Sequence, residues 1–224
     1  MIDKAVIIEY DFAAINGASL LFSTAERFLR ELDGIVFDDA VEAKYFAGRE
    51  YLEGFSTYFP IVKTKKTALK ASRDLDAGFR KALVGAINAG VPQGFVDFVR
   101  LLVSRQVKVV ISTRADVEQV AGAFSALPGH GITYHHEEAQ SYGSIKRDRW
   151  RMLAARYRLR PYNVVAVTGS GLGSKAALLA GLGSVAVMNP RTAYQDYSGC
   201  NELFESLDAA AAKRVLEILK VPVV

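Results

Sequence analysis

The segment VVAVTGSGLGSKAALLAG, residues 164–181, carries the clearest signal of the fold class. It begins with the apolar run Val164 to Val167, passes through a glycine-rich turn, and continues as a stretch rich in alanine and leucine. A short apolar run without polar alternation is typical of a strand buried on both faces of a sheet. The segment therefore predicts a strand, a tight turn and a helix that packs back on the sheet.

Similar runs rich in valine and isoleucine recur along the chain, at residues 5–8, 107–111, 132–134 and 185–188. Patterns with helical spacing lie between and after them, at residues 94–104, 148–157, 174–180 and 207–219. Strands that alternate with helices pair in parallel and need helices on both faces of the sheet. The predicted fold class is therefore α/β, a Rossmann-like parallel sheet flanked by helices.

Residues 18–89 break this alternation, because they contain helical patterns and no convincing strand. The patterns are Ser19–Leu32, Asp38–Tyr58 and Arg73–Ala89. This length exceeds what one crossover between parallel strands needs. We therefore predict an α/β core of residues 1–17 and 90–224, with residues 18–89 inserted as an all-helical cap.

The composition is that of a globular protein. The 224 residues are 50% hydrophobic and 23% charged, which excludes a disordered chain. One cysteine, Cys200, cannot form an internal disulfide, so a cytoplasmic location is expected. No uncharged stretch is long enough to cross a membrane. A net charge of +4 is too weak to favour nucleic acid as a partner.

Ligands of an open parallel sheet bind beyond the carboxyl ends of its strands, so the residues after each predicted strand matter most. These are residues 9–11, 112–114, 135–138 and 168–171. Among them, His135 and His136 are adjacent on an extended strand end and point in opposite directions, so they are poorly placed to bind one metal ion. We interpret them, with Glu137 and Glu138, as surface residues.

These positions resemble the haloacid dehalogenase (HAD) superfamily over nearly the whole chain. That family begins with a strand and the motif DxDGT, where this chain has Glu9-Tyr10-Asp11-Phe12-Ala13. A helical cap follows, then a strand that ends in Ser or Thr, here at Thr113, then a lysine, here Lys146. The last motif, GDSxxDxxAAxxAG, corresponds to residues 168–181, with Ser170, Ala176, Ala177, Ala180 and Gly181 in register.

The resemblance implies a set of catalytic residues, and this chain departs from it. In the family the first Asp of DxDGT attacks the substrate, the second acts as acid and base, and acids of the last motif help to hold Mg²⁺. This chain keeps the second Asp as Asp11, but has Glu9 at the nucleophile position and Gly169 and Gly173 in place of both later acids. Since Mg²⁺ prefers oxygen ligands in near-octahedral geometry, we expect no cofactor, or weak Mg²⁺ binding at Glu9 and Asp11.

The functional expectation is a HAD homologue that has lost Mg²⁺-dependent phosphohydrolase chemistry and acts as a binding or regulatory protein. The alternative is a hydrolase with an altered site, in which Glu9 and Asp11 act on a phosphorylated or anionic small molecule. A nucleic-acid accessory role is the least favoured hypothesis. The sequence leaves a homodimer open.

The remaining candidate residues each have two interpretations. Thr113, Lys146, Gly169 and Ser170 are assigned to a metal-independent site for a small anion, since a glycine-rich turn before a helix exposes backbone N–H groups. Thr113 equally suits the cap of a helix that begins near Ala115, with Ser112 as its rival if the register shifts by one. Lys146 also opens a basic run, residues 146–160, which is typical of a solvated helix face.

Overall fold

The computed structural model describes residues 4–125, 127, 131–138, 140–143 and 146–222. In this part of the chain six parallel strands form one sheet in the order β3-β2-β1-β4-β5-β6. The strands are β1 Ala5–Glu9, β2 Lys108–Thr113, β3 Ile132–His136, β4 Val164–Thr168, β5 Gly183–Val187 and β6 Glu202–Phe204. The strand order reverses between β1 and β4, which is where parallel sheets of this kind bind ligands.

Helices cover both faces of the sheet and fill the chain between β1 and β2. They are α1 Tyr10–Ala13, α2 Gly17–Asp33, α3 Asp39–Val41, α4 Tyr51–Val62, α5 Ala68–Asn88, α6 Gln93–Ser104, α7 Val117–Ala123, α8 Arg147–Arg156, α9 Gly171–Leu179 and α10 Ala209–Ile218. A π-helical turn, Glu42–Phe46, precedes α4, and a 3₁₀ turn, Pro161–Asn163, precedes β4.

The predicted α/β fold class is confirmed. The five predicted strands form, and β6 is an addition that the sequence did not signal, being three residues long and half-exposed. The pattern at Asp38–Tyr58, interpreted as continuous helix, is broken at residues 47–50. Gly48 adopts a left-handed φ of +73° there, which ends the π-helical turn before α4 begins.

Two apolar layers follow from the alternation of side chains along the strands. Val6, Ile8 and Ile111 face one layer, while Ile7 and Val110 face the other, where α8 contributes the fully buried Trp150. The first layer continues without interruption into the predicted cap, whose aromatic side chains Phe46, Phe55 and Phe59 pack at centroid distances of 4.9–5.1 Å. The helices between β1 and β2 are thus packed firmly onto the sheet. The exact division into core and cap at residues 18 and 89 stays a prediction.

Among the described residues, no single helix is both long and apolar enough to cross a membrane. The consecutive helices α5 and α6 satisfy that criterion only as a pair, across a bend of 84°.

Candidate functional site

The acids of the first motif lie at the carboxyl end of β1, each tied to a neighbouring strand. Asp11, in the first turn of α1, is 2% exposed. Its Oδ1 accepts a hydrogen bond of 2.6 Å from the Thr113 hydroxyl, and its Oδ2 accepts one of 2.8 Å from the backbone N–H of Arg114. The buried Glu9 carboxylate accepts a hydrogen bond from the Thr168 hydroxyl at the end of β4. At least three of the four carboxylate oxygens of the pair therefore already accept hydrogen bonds from the protein.

Burial determines the direction in which the pKa of the Asp11 carboxyl is shifted. Desolvation raises the pKa of its carboxyl, and the hydrogen bonds from Thr113 and the Arg114 backbone lower it without cancelling that rise. The net pKa lies above the ordinary aspartate value, so Asp11 holds a proton more readily than an exposed aspartate does.

Arg114 fills the space between the end of β2 and the helices above it. The residue is buried, with 2% of its surface exposed. Its guanidinium carbon lies 5.3 Å from the centre of the Phe12 ring and 5.6 Å from the centre of the Phe79 ring. Nη1 donates to the Tyr51 hydroxyl at 2.9 Å, and Nη2 donates to the Ser141 hydroxyl at 3.4 Å. A fixed positive charge thus lies beside the acids of the site, against two neighbouring aromatic rings whose centres are 5.9 Å apart.

A second arginine, Arg80 of α5, stabilises the position of Arg114 from the side of the inserted helices. Its Nη1 donates to the Arg114 carbonyl at 2.6 Å, and its Nε donates to Asp76 at 2.8 Å. The same Nη1 lies 3.1 Å from Nε2 of His136, whose Nδ1 lies 3.1 Å from the Ala115 carbonyl. If Nδ1 donates to that carbonyl, Nε2 is free to accept from Arg80. Helix α5 is therefore joined by hydrogen bonds to the carboxyl ends of β2 and β3.

Gly169 and Gly173 occupy the positions where the family has acids, and neither position has room for a side chain. A Cβ at position 169 would lie 2.2 Å from the carbonyl oxygen of Phe12, and a Cβ at position 173 would lie 2.2 Å from Oγ1 of Thr168. Real Cβ atoms do not approach other heavy atoms so closely. The backbone of α1 and the Thr168 hydroxyl thus occupy the volume that the stems of those acids would need.

The donor set does not suit Mg²⁺. That ion requires several oxygen ligands in near-octahedral geometry at about 2.0–2.1 Å. Here Asp11 and Glu9 give oxygens to protein hydrogen bonds, and Arg114 places positive charge beside them. Within the described ranges, no three side chains of His, Cys, Asp or Glu are grouped so that they could hold a metal. We therefore derive no metal-dependent step for this site.

The structure places Asp11 in contact with Thr113, and it places Glu9 in contact with Thr168. The Thr113 hydroxyl also accepts from the Ala115 backbone N–H at 3.0 Å, while Asp116 rather than Thr113 caps α7. Ser112, the rival of Thr113, has no contact with Asp11; its buried hydroxyl has no hydrogen-bond partner among the described residues.

Two N–H groups of the glycine-rich turn, those of Leu172 and Gly173, already donate to side chains. Ser170 caps α9 by accepting from the Gly173 N–H at 3.0 Å, and the Leu172 N–H donates to the Gln195 side chain at 3.1 Å. The carbonyl of Gly169 accepts from Thr192 at 3.0 Å. Anion binding by Gly169 and Ser170 stays a prediction, and an anion that used the N–H groups of Leu172 or Gly173 would have to displace these two bonds.

Lys146 lies at the edge of the site rather than inside it. Its ammonium is 3.3 Å from Glu50 of the cap segment, and its side chain is 45% exposed. It lines an open groove of about 430 Å³ with Ser141 and Gln140. Because the Ser141 hydroxyl also accepts a hydrogen bond from Arg114, this groove adjoins the buried arginine.

The interpretation of residues 135–138 as surface is wrong for two of them. His135 is 4% exposed and Glu137 is 2% exposed, because both point toward α8, where Arg149 pairs with Glu137. Trp150, within the basic run, is fully buried, so it cannot stack on a nucleic-acid base. Arg147, Arg151, Arg156, Arg158 and Arg160 are exposed, as predicted for a solvated face.

Burial of His135 predicts a pH dependence of stability. Desolvation lowers the pKa of the imidazole in the folded protein below that in the unfolded chain, about 6.5. The unfolded state therefore binds more protons in this range, so the contribution of His135 is fully present above about pH 6.5 and is lost as the pH falls. Urea unfolding of the wild type and His135→Gln between pH 5 and 8 should show their free-energy difference shifting in favour of the variant as the pH falls. A pH-independent difference would contradict this.

No family model and no curated protein matches the sequence. Solved structures do match its fold. CbbY from Rhodobacter sphaeroides, in complex with phosphate, has a TM-score of 0.66 at 17% identity, covering 92% of this chain and 95% of that one. The β-phosphoglucomutase from Clostridium difficile has a TM-score of 0.71 at 15% identity and 98% coverage of both chains. A HAD family hydrolase from Deinococcus radiodurans, with bound phosphate and sodium, has a TM-score of 0.60 at 18% identity, covering 98% of this chain and 97% of that one.

These matches extend over nearly the full length of each partner, so the correspondence includes both the sheet and the inserted helices. The chain has the haloacid dehalogenase-like fold, as the sequence motifs indicated. At these identities the likeness establishes the fold alone.

Proposed function

We propose that this chain is a HAD-fold protein without metal-dependent phosphohydrolase activity, and that it acts as a binding or regulatory protein. One observation carries the proposal: the buried Arg114 guanidinium lies where the acids of the sheet meet the cap, bonded to Tyr51 and flanked by Phe12 and Phe79. The charge of this cation acts on Asp11 and Glu9 through space and offsets part of their negative charge, as a bound metal ion would.

The packing of the two glycines supports the same proposal independently. Metal-dependent phosphoryl transfer relies on charge neutralisation by the metal and on positioning of the reacting groups. A side chain at position 169 would overlap the Phe12 carbonyl, so an acid there requires a different local backbone, and one at position 173 would require the Thr168 hydroxyl to move.

A phosphatase panel tests this function. We expect no turnover above background with or without Mg²⁺, for the wild type and for Asp11→Asn alike. Asp97→Asn, at a solvent-exposed carboxylate of α6, is the matched control. Turnover that requires Mg²⁺ and disappears in Asp11→Asn but not in Asp97→Asn would establish the alternative, a hydrolase with an altered site.

For the ligand we propose a small anion or a phosphorylated small molecule, bound in the groove beside Lys146. The comparison protein CbbY has been solved with phosphate and, in a mutant form, with xylulose-1,5-bisphosphate. In this chain Lys146 is exposed in the groove, and the hydroxyl of Ser141 connects the groove to Arg114. Glu50 and Glu138 on the groove wall oppose an anion, so affinity should be modest, on the order of millimolar.

Lys146→Ala should abolish the chemical-shift changes that inorganic phosphate produces at Ser141 and Gln140 in an NMR titration. Lys175→Ala is the matched control, because Lys175 is also 45% exposed and paired with one carboxylate, that of Asp196. Shifts that persist in Lys146→Ala, or that are confined to Arg151 and Arg156 of α8, outside the groove, would refute this binding site.

A further inference from the structure

A small cavity lies between the π-helical turn Glu42–Phe46 and the loop after β5, with Ser170 of the glycine-rich turn on its wall. It holds about 20 Å³, enough for one group of the size of a water molecule. An open pocket of about 370 Å³ adjoins it, and Glu42, Arg191 and Tyr194 line both. Neither space is lined by Asp11, Thr113 or Arg114.

The carboxylate of this cavity is buried without an ion pair. Glu42 is 6% exposed, and no basic side chain among the described residues lies within salt-bridge distance of it. Arg191 is near enough to lower the pKa of Glu42, but it directs its guanidinium to Asp39 and stacks at 3.4 Å on the Phe22 ring. Desolvation dominates and raises the pKa of the Glu42 carboxyl. An unpaired buried carboxylate is costly unless a cation accompanies it.

A buried hydroxyl lies beside that carboxylate with unused hydrogen-bonding capacity. Tyr142 is 3% exposed and lines the same cavity. Its interaction lowers the pKa of Glu42, yet its hydroxyl makes no hydrogen bond of normal geometry to any described residue. Polar atoms buried in this way normally have a partner, which points to a group that occupies the cavity.

We propose that this cavity binds the primary ammonium group of a small molecule, with Glu42 as its counter-ion and the Tyr142 oxygen as a second acceptor. An ammonium group has about the size of the cavity and carries three donors and no acceptor. A phosphate or carboxylate in the same place would be repelled by Glu42. The rest of the molecule lies in the outer pocket, between Arg191 and Tyr194.

The outer pocket distinguishes two sources of the ammonium group, a simple amine and an amino acid. Asp39 is 83% exposed, and an exposed ion pair of this kind contributes only about 0–1 kcal/mol. Arg191 can therefore exchange Asp39 for a carboxylate on the ligand. An amino acid would use both Glu42 and Arg191, whereas a simple amine would use Glu42 alone.

NMR titrations with ethylammonium, L-alanine and acetate test the site. We expect the two ammonium compounds to shift resonances of Glu42 and Tyr142 and acetate to leave them unchanged. Glu42→Gln should weaken the binding at least about tenfold, the value of one charge-assisted hydrogen bond. Tighter binding of L-alanine than of ethylammonium, lost in Arg191→Ala, would identify the amino acid as the ligand form; equal affinities would identify a simple amine.

The variant Tyr142→Phe is a second test of the site that leaves the Glu42 carboxylate in place. It removes only the hydroxyl beside Glu42, whose contact with that carboxylate falls short of normal hydrogen-bond geometry, so the fold should lose little stability while ammonium binding weakens. Absence of shifts with both ammonium compounds, or equal binding to the wild type and Glu42→Gln, would overturn the proposal. The phosphatase panel does not depend on this site, since neither variant contacts Asp11 or Arg114, so the two proposals fail separately.

Discussion

Arg114→Ala is expected to lower the free energy of unfolding by about 3–5 kcal/mol, the loss typical when one member of a buried charge network is removed. The variant leaves the Tyr51 hydroxyl without its donor, and it leaves Glu9 and Asp11 without the neighbouring positive charge. It also removes the guanidinium that packs against the rings of Phe12 and Phe79. Urea unfolding followed by circular dichroism measures the change.

Two controls separate this network from a general effect of removing arginine. Arg151→Ala, on the exposed face of α8, should change stability by less than about 0.5 kcal/mol. Arg114→Lys keeps the charge but loses the planar fork that reaches both Tyr51 and Ser141, so it should fall between the wild type and Arg114→Ala. A loss below about 1 kcal/mol for Arg114→Ala would mean that the buried arginine does not hold the cap and core together.

Gly169→Ala is expected to destabilise the fold by about 3 kcal/mol, at the upper end of overpacking effects. The added Cβ would lie 2.2 Å from the carbonyl oxygen of Phe12 and 2.5 Å from its carbonyl carbon. Backbone atoms cannot rotate away as the end of a flexible side chain can. Gly169→Asp should be at least as destabilising, because it adds a carboxylate to the same methylene near Glu9 and Asp11.

Gly85→Ala is the matched control for this effect. Gly85 lies inside α5, and an added Cβ there meets no atom within 4 Å. Alanine in a helix interior is favoured over glycine by roughly 0.5–1 kcal/mol, so this variant should be slightly more stable than the wild type. If Gly169→Ala were as stable as the wild type, the backbone after β4 would have room for the missing acid, and the steric argument against a metal site would fail.

The sequence predicted the sheet well because its signals are local. Runs such as Val164–Val167 and Ala5–Ile8 are continuous and apolar, and each forms a strand extended by one residue in the structure. The strand β6 could not be predicted, because its three residues, Glu202–Phe204, are too few to show a pattern. The break near Gly48 was missed because a single glycine is often tolerated within a helical pattern.

The sequence predicted some residues of the site and missed others, because the site also depends on contacts between distant parts of the chain. The order of strands placed Thr113 and Asp11 at one end of the sheet, and they are in contact. Arg114 was visible as the next residue after Thr113, but nothing local distinguishes it from an arginine exposed at a strand end. Its burial depends on Tyr51 and Phe79, which come from the inserted helices, so only the tertiary structure reveals it.

The same limit applies to His135 and to the glycine pair. The sequence shows that His135 follows an apolar run, but α8 determines that it is buried. The substitution of glycine at 169 and 173 is plain in the sequence, whereas the reasons that no side chain fits are the position of α1 at 169 and the Thr168 hydroxyl at 173. Motif comparison thus detects the change, and the structure supplies its physical consequence.

A crystal structure of the wild type soaked with Mg²⁺ and a phosphate mimic would show whether Arg114 has taken the place of a metal ion. We expect that Arg114 stays packed against Phe12 and Phe79, that Asp11 keeps its bonds to Thr113 and the Arg114 N–H, and that no metal density appears beside Glu9 and Asp11. An octahedral Mg²⁺ ion ligated by Glu9 and Asp11, with the Arg114 guanidinium displaced, would contradict the loss of the metal site.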